Sequence, residues 1–276
     1  MDDRGKQFLK AYLEIEGNES LHKYLQPETL EELQNLPELS IPSYFNPSQP
    51  LEKIHWSWFL PILQESSDEE KKILLAAFPE HGAKALSEAL QIEPESTLTS
   101  AGKSYFSQVL FQSFLQSNPA PLPPECLPES SLNRLTTLSK KDLLRLIDSL
   151  SLFDLAIEIR QIVETKILKK LYSFLQEGEK AFLKQVSITK EGPLLPKMGL
   201  DRWDGTEEAL RHLLHKRGVQ RFAIALSGSH PDLIWHIAHQ LDRGRGGTLL
   251  KLVAPERVPQ WTELAIHHIE DWINRL

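Results

Sequence analysis

Apolar residues recur at three- and four-residue spacing along most of the chain, the period that gathers them on one face of an α-helix. Residues 2–36 read as two short amphipathic helices. The first carries Phe8, Leu9, Tyr12, Leu13 and Ile15, the second Leu30, Leu33 and Leu36, and Gly17-Asn18 parts them. A connector at 37–50 holds Pro37, Pro42, Pro47 and Pro50. From Leu51 to Gln116 the pattern predicts a helical block. Ile54, Trp56, Trp58, Phe59, Ile62 and Leu63 fit one apolar helix kinked at Pro61. Ser67 before Asp68-Glu69-Glu70 reads as an N-cap with acids at the positive end of the dipole, opening a helix that Pro79 closes. Two more helices are expected at 81–92 and 98–116.

Asn118 to Pro128 holds five prolines in eleven residues, too many missing donors for a helix or a central strand. It reads as an inter-domain linker, and Pro121 to Pro124 within it as a polyproline II spacer or partner motif. Beyond it, helices are predicted at 139–150, 152–161, 163–176 and 178–187, then a Gly/Pro connector at 190–199. Further helices follow at 205–217, 218–227, 231–242, 246–253 and 258–275. The expected organisation is an N-terminal helical segment and connector at 1–50, a first helical domain at 51–117, the linker at 118–128, and a larger helical domain at 129–276. The short loops favour antiparallel neighbours.

A repeat is visible at an offset of 67 residues. Sliding 140–186 onto 207–253 matches Leu143 with Leu210, Leu146 with Leu213, Ala156 with Ala223, Ile157 with Ile224 and Ile167 with Ile234. It also matches Leu183 with Leu250, Lys184 with Lys251 and Val186 with Val253, and apolar pairs such as Ile147 with Leu214 and Leu155 with Phe222 coincide. Helical units that bury their faces against one another produce such spacing.

Composition agrees with the helical pattern. Among 276 residues there are 47 Leu and 18 Ile but 6 Val and 10 Thr, so the best apolar helix former dominates and β-branched strand formers are scarce. The expected fold class is all-α. A net charge of −7 is the wrong overall sign for a protein that lives on phosphate backbones. The single cysteine, Cys126, excludes an internal disulfide or a multi-Cys zinc cluster and fits a reducing compartment. The first 16 residues lack the apolar core of a signal peptide, and no stretch approaches the length of a membrane span. A cytoplasmic protein is expected.

Three constellations carry candidate chemistry. His212 with His215, and His236 with His239, sit i,i+3 on predicted helices and could hold a divalent metal with His230, Asp242, His267 or His268, although no Glu supplies a general base. The other reading is polar positions on a helix bundle. Asp242-Arg243-Gly244-Arg245-Gly246-Gly247-Thr248 invites a phosphate-loop reading, but lacks the Lys-Ser/Thr ending and a preceding strand. It fits better as a helix stop and restart that exposes two arginines to an acidic partner surface. Ser227-Gly228-Ser229-His230 offers hydroxyls beside an imidazole without a nucleophile elbow.

Ser229-His230-Pro231-Asp232-Leu233-Ile234-Trp235-His236-Ile237-Ala238-His239-Gln240-Leu241-Asp242 resembles the Glu-His-Pro-Gln helix of the flagellar motor switch protein FliG, with Ser229 where that family has Glu and Asp232 where it has Gln. Leu138 to Val186, with Asp154-Leu155-Ala156 and Lys166-Ile167-Leu168, is similar to the helical unit that the same family repeats. The resemblance spans residues 134–276. In the N-terminal half, Ile54-His55-Trp56-Ser57-Trp58 resembles the SctK-type accessory proteins of type III secretion systems.

These resemblances imply stacked helical units in an armadillo-like, FliG-like right-handed array with a smaller N-terminal helical block. They imply no enzyme activity and no cofactor. The expected function is a scaffold or adaptor joining the inner-membrane ring to the cytoplasmic complex of an injectisome or flagellar-type apparatus, without nucleic acid, peripheral to the membrane through its partners, and able to oligomerise in the assembly. His230, Pro231, Asp232, Arg243 and Arg245 are the expected partner contacts, with Trp56 and Trp58 in the N-terminal block. The alternatives are a metal-dependent enzyme using the histidine pairs, or a secreted effector or helical-repeat binding module.

Overall fold

The computed structural model of the chain describes residues 6, 9, 10, 13, 25–35, 49–94, 98–116, 120–186 and 195–275. All regular structure among them is helical, with no strand, so the all-α expectation holds. No helix among them is long and apolar enough to cross a membrane. Most of the predicted first helix, the connector 37–48 and residues 118 and 119 lie outside the described residues. The chain divides into two compact units, Met1–Pro128 and Glu129–Leu276.

The first unit contains α1 (Pro27–Gln34), α2 (Gln49–Lys53), α3 (Leu60–Glu65), α4 (Asp68–Ala77), α5 (Glu80–Leu90) and α6 (Ser100–Leu115). The apolar run 54–63 is not one kinked helix. It breaks after α2, passes through a 3-10 turn at Trp56–Trp58, and restarts as α3. Pro61 sits in the first turn of α3, where a missing N–H costs nothing, so it bends no helix. Ser67 caps α4 in a reciprocal box with Glu70: each side chain accepts the other residue's backbone N–H. The core gathers around Phe59, fully buried, whose ring lies 5.1 Å from that of Phe78 and 4.9 Å from that of Phe114. Leu51, Leu63, Leu75, Leu86 and Leu110 complete it. The buried Ser107 hydroxyl donates to the Ala77 carbonyl at 2.9 Å and so satisfies an orphan acceptor at the end of α4. The Pro-rich stretch ends in a 3-10 turn at Pro124–Cys126 followed by a fully buried Leu127.

In the second unit a 3-10 segment, Ser131–Thr137, precedes α7 (Lys140–Ile159), α8 (Thr165–Phe174), α9 (Glu177–Val186), α10 (Glu207–Leu226), α11 (Pro231–Gln240), α12 (Arg243–Leu252) and α13 (Pro259–Ile273). Two of these correct the sequence reading. The predicted helices at 139–150 and 152–161 are one, α7, and those at 205–217 and 218–227 are one, α10. Neither junction interrupts its helix: Ser151 bonds to the Asp148 carbonyl of its own helix, and Gly218 stands where a side chain has no room. A β-carbon at Gly218 would run into the carbonyl oxygen of Ile147, so glycine here permits the two long helices to touch.

The repeat shows in the architecture. α7 and α10 are each 20 residues long, start and end 67 residues apart, and are capped by Ser139 and Thr206, also 67 apart. Each is followed by two 10-residue helices. These later pairs are offset by 66, because the connection after α10 is one residue shorter than that after α7. The buried counterparts are therefore Leu171 with Ile237, Leu175 with Leu241, and Leu183 with Leu249. The identities of Ile167 with Ile234, Leu183 with Leu250, Lys184 with Lys251 and Val186 with Val253 are out of register, and Leu250 is exposed. α9 packs on α7 as α12 packs on α10, while α13 lies against both long helices. α7 and α10 run in the same direction, because Asp148 meets His215 and Asp154 meets Arg221, each pair 67 residues apart. The same face of each helix thus forms their contact.

Candidate functional site

The segment that carries the sequence resemblance is the turn from α10 into α11. Ser227 ends α10, its hydroxyl donating to the Ala223 carbonyl at 2.9 Å and accepting from the Ala254 N–H at 3.2 Å. Gly228 has φ of +68°, a left-handed conformation that favours glycine, and its N–H donates to the Ala254 carbonyl at 3.1 Å. Arg257 packs so closely over Gly228 that a β-carbon would displace it. The turn is thereby tied to the loop between α12 and α13.

His230 is the N-cap of α11: its Nδ1 accepts the Asp232 N–H at 3.2 Å, which leaves the proton of the neutral ring on Nε2. Pro231 takes the first helical position, and Asp232 lies in the first turn, where a negative charge meets the positive end of the helix dipole. Pro231 is exposed, while His230 and Asp232 are half-buried. Leu252, Val258 and Trp261, on or beside the tied loop, are exposed apolar side chains. This corner therefore couples a rigid capped turn to apolar surface. The Ser227 hydroxyl is committed to backbone groups and the His230 Nδ1 to Asp232, so the run 227–230 forms no nucleophile-base pair.

Arg243 and Arg245 do not lie in a loop. α12 starts at Arg243, and Asp242 caps it, with Oδ1 accepting from the Gly244 and Arg245 N–H groups at 3.1 Å each. The amides that a phosphate would use are filled by the Asp242 carboxylate, which overturns the phosphate-loop reading. Ten helical residues, about 15 Å, separate this end of α12 from the His230 corner. Arg245 instead joins a charged chain. Its Nη1 pairs with Asp242, its Nε donates to His215 Nε2 at 2.8 Å, and His215 Nδ1 lies 2.7 Å from Asp148 Oδ1. An acceptor at Nε2 requires the proton on Nδ1, so His215 donates to Asp148.

Trp56 and Trp58 occupy the 3-10 turn of the first unit, half-buried, with His55 Nδ1 accepting the Ser57 N–H at 3.1 Å as cap. Trp58 meets Phe114 edge-on at 6.5 Å. One histidine of each pair is likewise engaged. His215 serves the charged chain, and buried His239 has its Nδ1 2.7 Å from the Trp235 carbonyl. Burial pushes the His239 imidazole down to about 4, which keeps it neutral. Among the described residues no group of three or more His, Cys, Asp or Glu is arranged to hold a metal ion.

A buried polar cluster between α7, α10 and α13 escaped the sequence reading. Arg221 Nη1 donates to Asp154 Oδ1 at 2.8 Å, Arg217 Nε lies 3.8 Å from Asp154 Oδ2, and Arg221 Nη2 is 3.1 Å from His268 Nδ1. Phe153 underlies it, stacked on His268 at 3.6 Å between ring centroids and beneath the Arg221 guanidinium. Burial, aided by Arg221, pushes His268 down to about 3, so its neutral Nδ1 accepts from Arg221. Burial raises Asp154 against the opposing pull of Arg221 and Arg217. The signal in the sequence was the repeat: Asp154 and Arg221 are equivalent positions of α7 and α10. No protein-family model, curated protein or solved structure matches the chain.

Proposed function

We propose that the protein is a non-enzymatic cytoplasmic scaffold of a type III secretion apparatus, flagellar or injectisome-type, that links an inner-membrane ring to the cytoplasmic complex through protein contacts. In this reading the two helical triads α7–α9 and α10–α12 are FliG-like, armadillo-like units, and the N-terminal half is the SctK-like block. The observation that carries it is the corner at His230. The turn that bears the FliG resemblance is locked to a loop beside exposed Leu252, Val258 and Trp261, and exposed apolar groups on a rigid framework suit a protein interface. His230, Pro231 and Asp232 orient that corner, whereas Arg243 and Arg245 present charge at the far end of α12.

The test is co-expression with the ring and cytoplasmic-complex proteins of one such apparatus, followed by co-purification. The reading expects a stable complex that Val258→Glu/Trp261→Glu disrupts while the helical circular dichroism is kept. Failure to assemble with any of these proteins, or assembly indifferent to the two substitutions, would refute it.

A further inference from the structure

Charge is divided unevenly along the chain. Residues 1–128 carry 9 Lys and Arg against 19 Asp and Glu, whereas residues 129–276 carry 22 against 19, so the second unit is basic within an acidic protein. Part of that positive charge surrounds a cleft of ≈ 660 Å³ between α7, the start of α9, the start of α10 and the end of α13. Its walls include Leu152, Phe182 and Trp272, and its charged groups include Arg145, Arg211 and Arg275.

The cations there are not equivalent. Arg211 is held within the unit, bonded to Glu179 at 2.6 Å and to the Phe174 carbonyl. Glu179 in turn takes the Gln176 N–H, and Asp148 takes His215, so both carboxylates of the cleft are engaged by internal donors. Arg145 forms an ion pair with Asp142 at 3.6 Å, beyond hydrogen-bond length, and its side chain is 61% exposed, so a pair of this kind is weak and exchangeable. Arg275 lies over the Phe182 ring and donates to the neutral Gln185, with no carboxylate partner among the described residues. Trp272 is fixed by its indole N–H donating to Ser149 Oγ at 3.1 Å. Two guanidiniums, neither of them hydrogen-bonded to a carboxylate among the described residues, thus flank a cleft with an apolar wall.

We infer that this cleft binds an acidic peptide segment of a partner protein, an apolar or aromatic side chain resting against Phe182 and Trp272 and flanking carboxylates reaching Arg145 and Arg275. Its volume suits a short peptide. The planar guanidinium forks match carboxylates in pairs. The inference stands apart from the scaffold reading, because the cleft involves Arg211 near the start of α10, about 24 Å along that helix from Ser227 at the His230 corner.

The probe is a fluorescein-labelled peptide of alternating Glu-Glu-Phe, followed by anisotropy with the full-length protein. A Gln-Gln-Phe peptide and a poly-dT oligonucleotide serve as controls. Saturable binding of the Glu peptide that weakens with salt, with the Gln peptide and the oligonucleotide much weaker, is expected. Arg145→Glu/Arg275→Glu should weaken it about tenfold. Arg145→Gln/Arg275→Gln should fall between, and both variants should keep the parent melting curve since both side chains project from the packed core. Equal binding of the Gln peptide or the oligonucleotide, no binding at all, or binding untouched by either double substitution would overturn the inference. A Val258→Glu/Trp261→Glu protein should bind the peptide normally, which separates this site from the His230 corner.

Discussion

Replacing Asp154 by Leu removes the carboxylate that faces two buried arginines, Arg221 at 1% exposure and Arg217 at 6%. At an effective dielectric of about 20, unit charges 2.8 Å apart attract by about 6 kcal/mol. Desolvation offsets much of this in the folded state, yet removing one partner leaves the other's desolvation uncompensated. Asp154→Leu alone should therefore cost roughly 3–5 kcal/mol. At about 3 °C per kcal/mol for a unit of this size, the melting transition of the second unit should fall by about 10 °C. Asp154→Leu/Arg221→Met removes the closer pair and fills its space with apolar atoms, leaving Arg217 with the Pro196 carbonyl, so it should recover part of that loss. Calorimetry or thermal circular dichroism of the full chain at pH 7 measures the parent, the Asp154→Leu and Arg221→Met single variants and the double variant. If the double variant is as destabilised as the two single variants summed, the pair is not energetically coupled and the reasoning fails.

Acidity should weaken the same unit through His239 and His268, whose folded values lie at about 4 and about 3 against an ordinary 6.5. Below pH 6.5 the unfolded chain binds protons that the folded one refuses, so their contribution is whole above 6.5 and is lost as pH falls through the folded values. At pH 5 each withdraws about 2 kcal/mol. Asp154 and Glu158, raised by burial, act with the opposite sign, so the check compares slopes: His239→Gln/His268→Gln should flatten the fall in Tm between pH 7 and 5, and an unchanged slope would remove the histidines as its cause. Gly218→Ala should push α7 and α10 apart and cost about 3 kcal/mol, read as a drop of roughly 10 °C in Tm; an unaltered Tm would mean the helices part without penalty.

The periodicity of Leu and Ile determined that the chain is helical and where most helices lie, because side-chain spacing and caps such as Ser67 act within a few residues of the backbone they order. The offset of 67 also separates the two long helices, each of which the local pattern divides in two. What local pattern misjudged were the joints. The helices predicted to end at 150 and 217 run on, because Ser151 bonds within its own turn and Gly218 gains a neighbouring backbone to pack on. Trp56 and Trp58 look helical and form a 3-10 turn, and Arg243 and Arg245 look like a loop and open a helix.

Tertiary structure alone decided which polar groups meet. His215 and Arg245 are 30 residues apart in sequence, Arg221 and His268 47, and the charges of Arg145 and Arg275 share one cleft only because α13 folds back along α7. Nearest-neighbour preference sets helices. Long-range packing, in which burying an ionisable group is tolerated only opposite a complementary one, sets the chemistry they present.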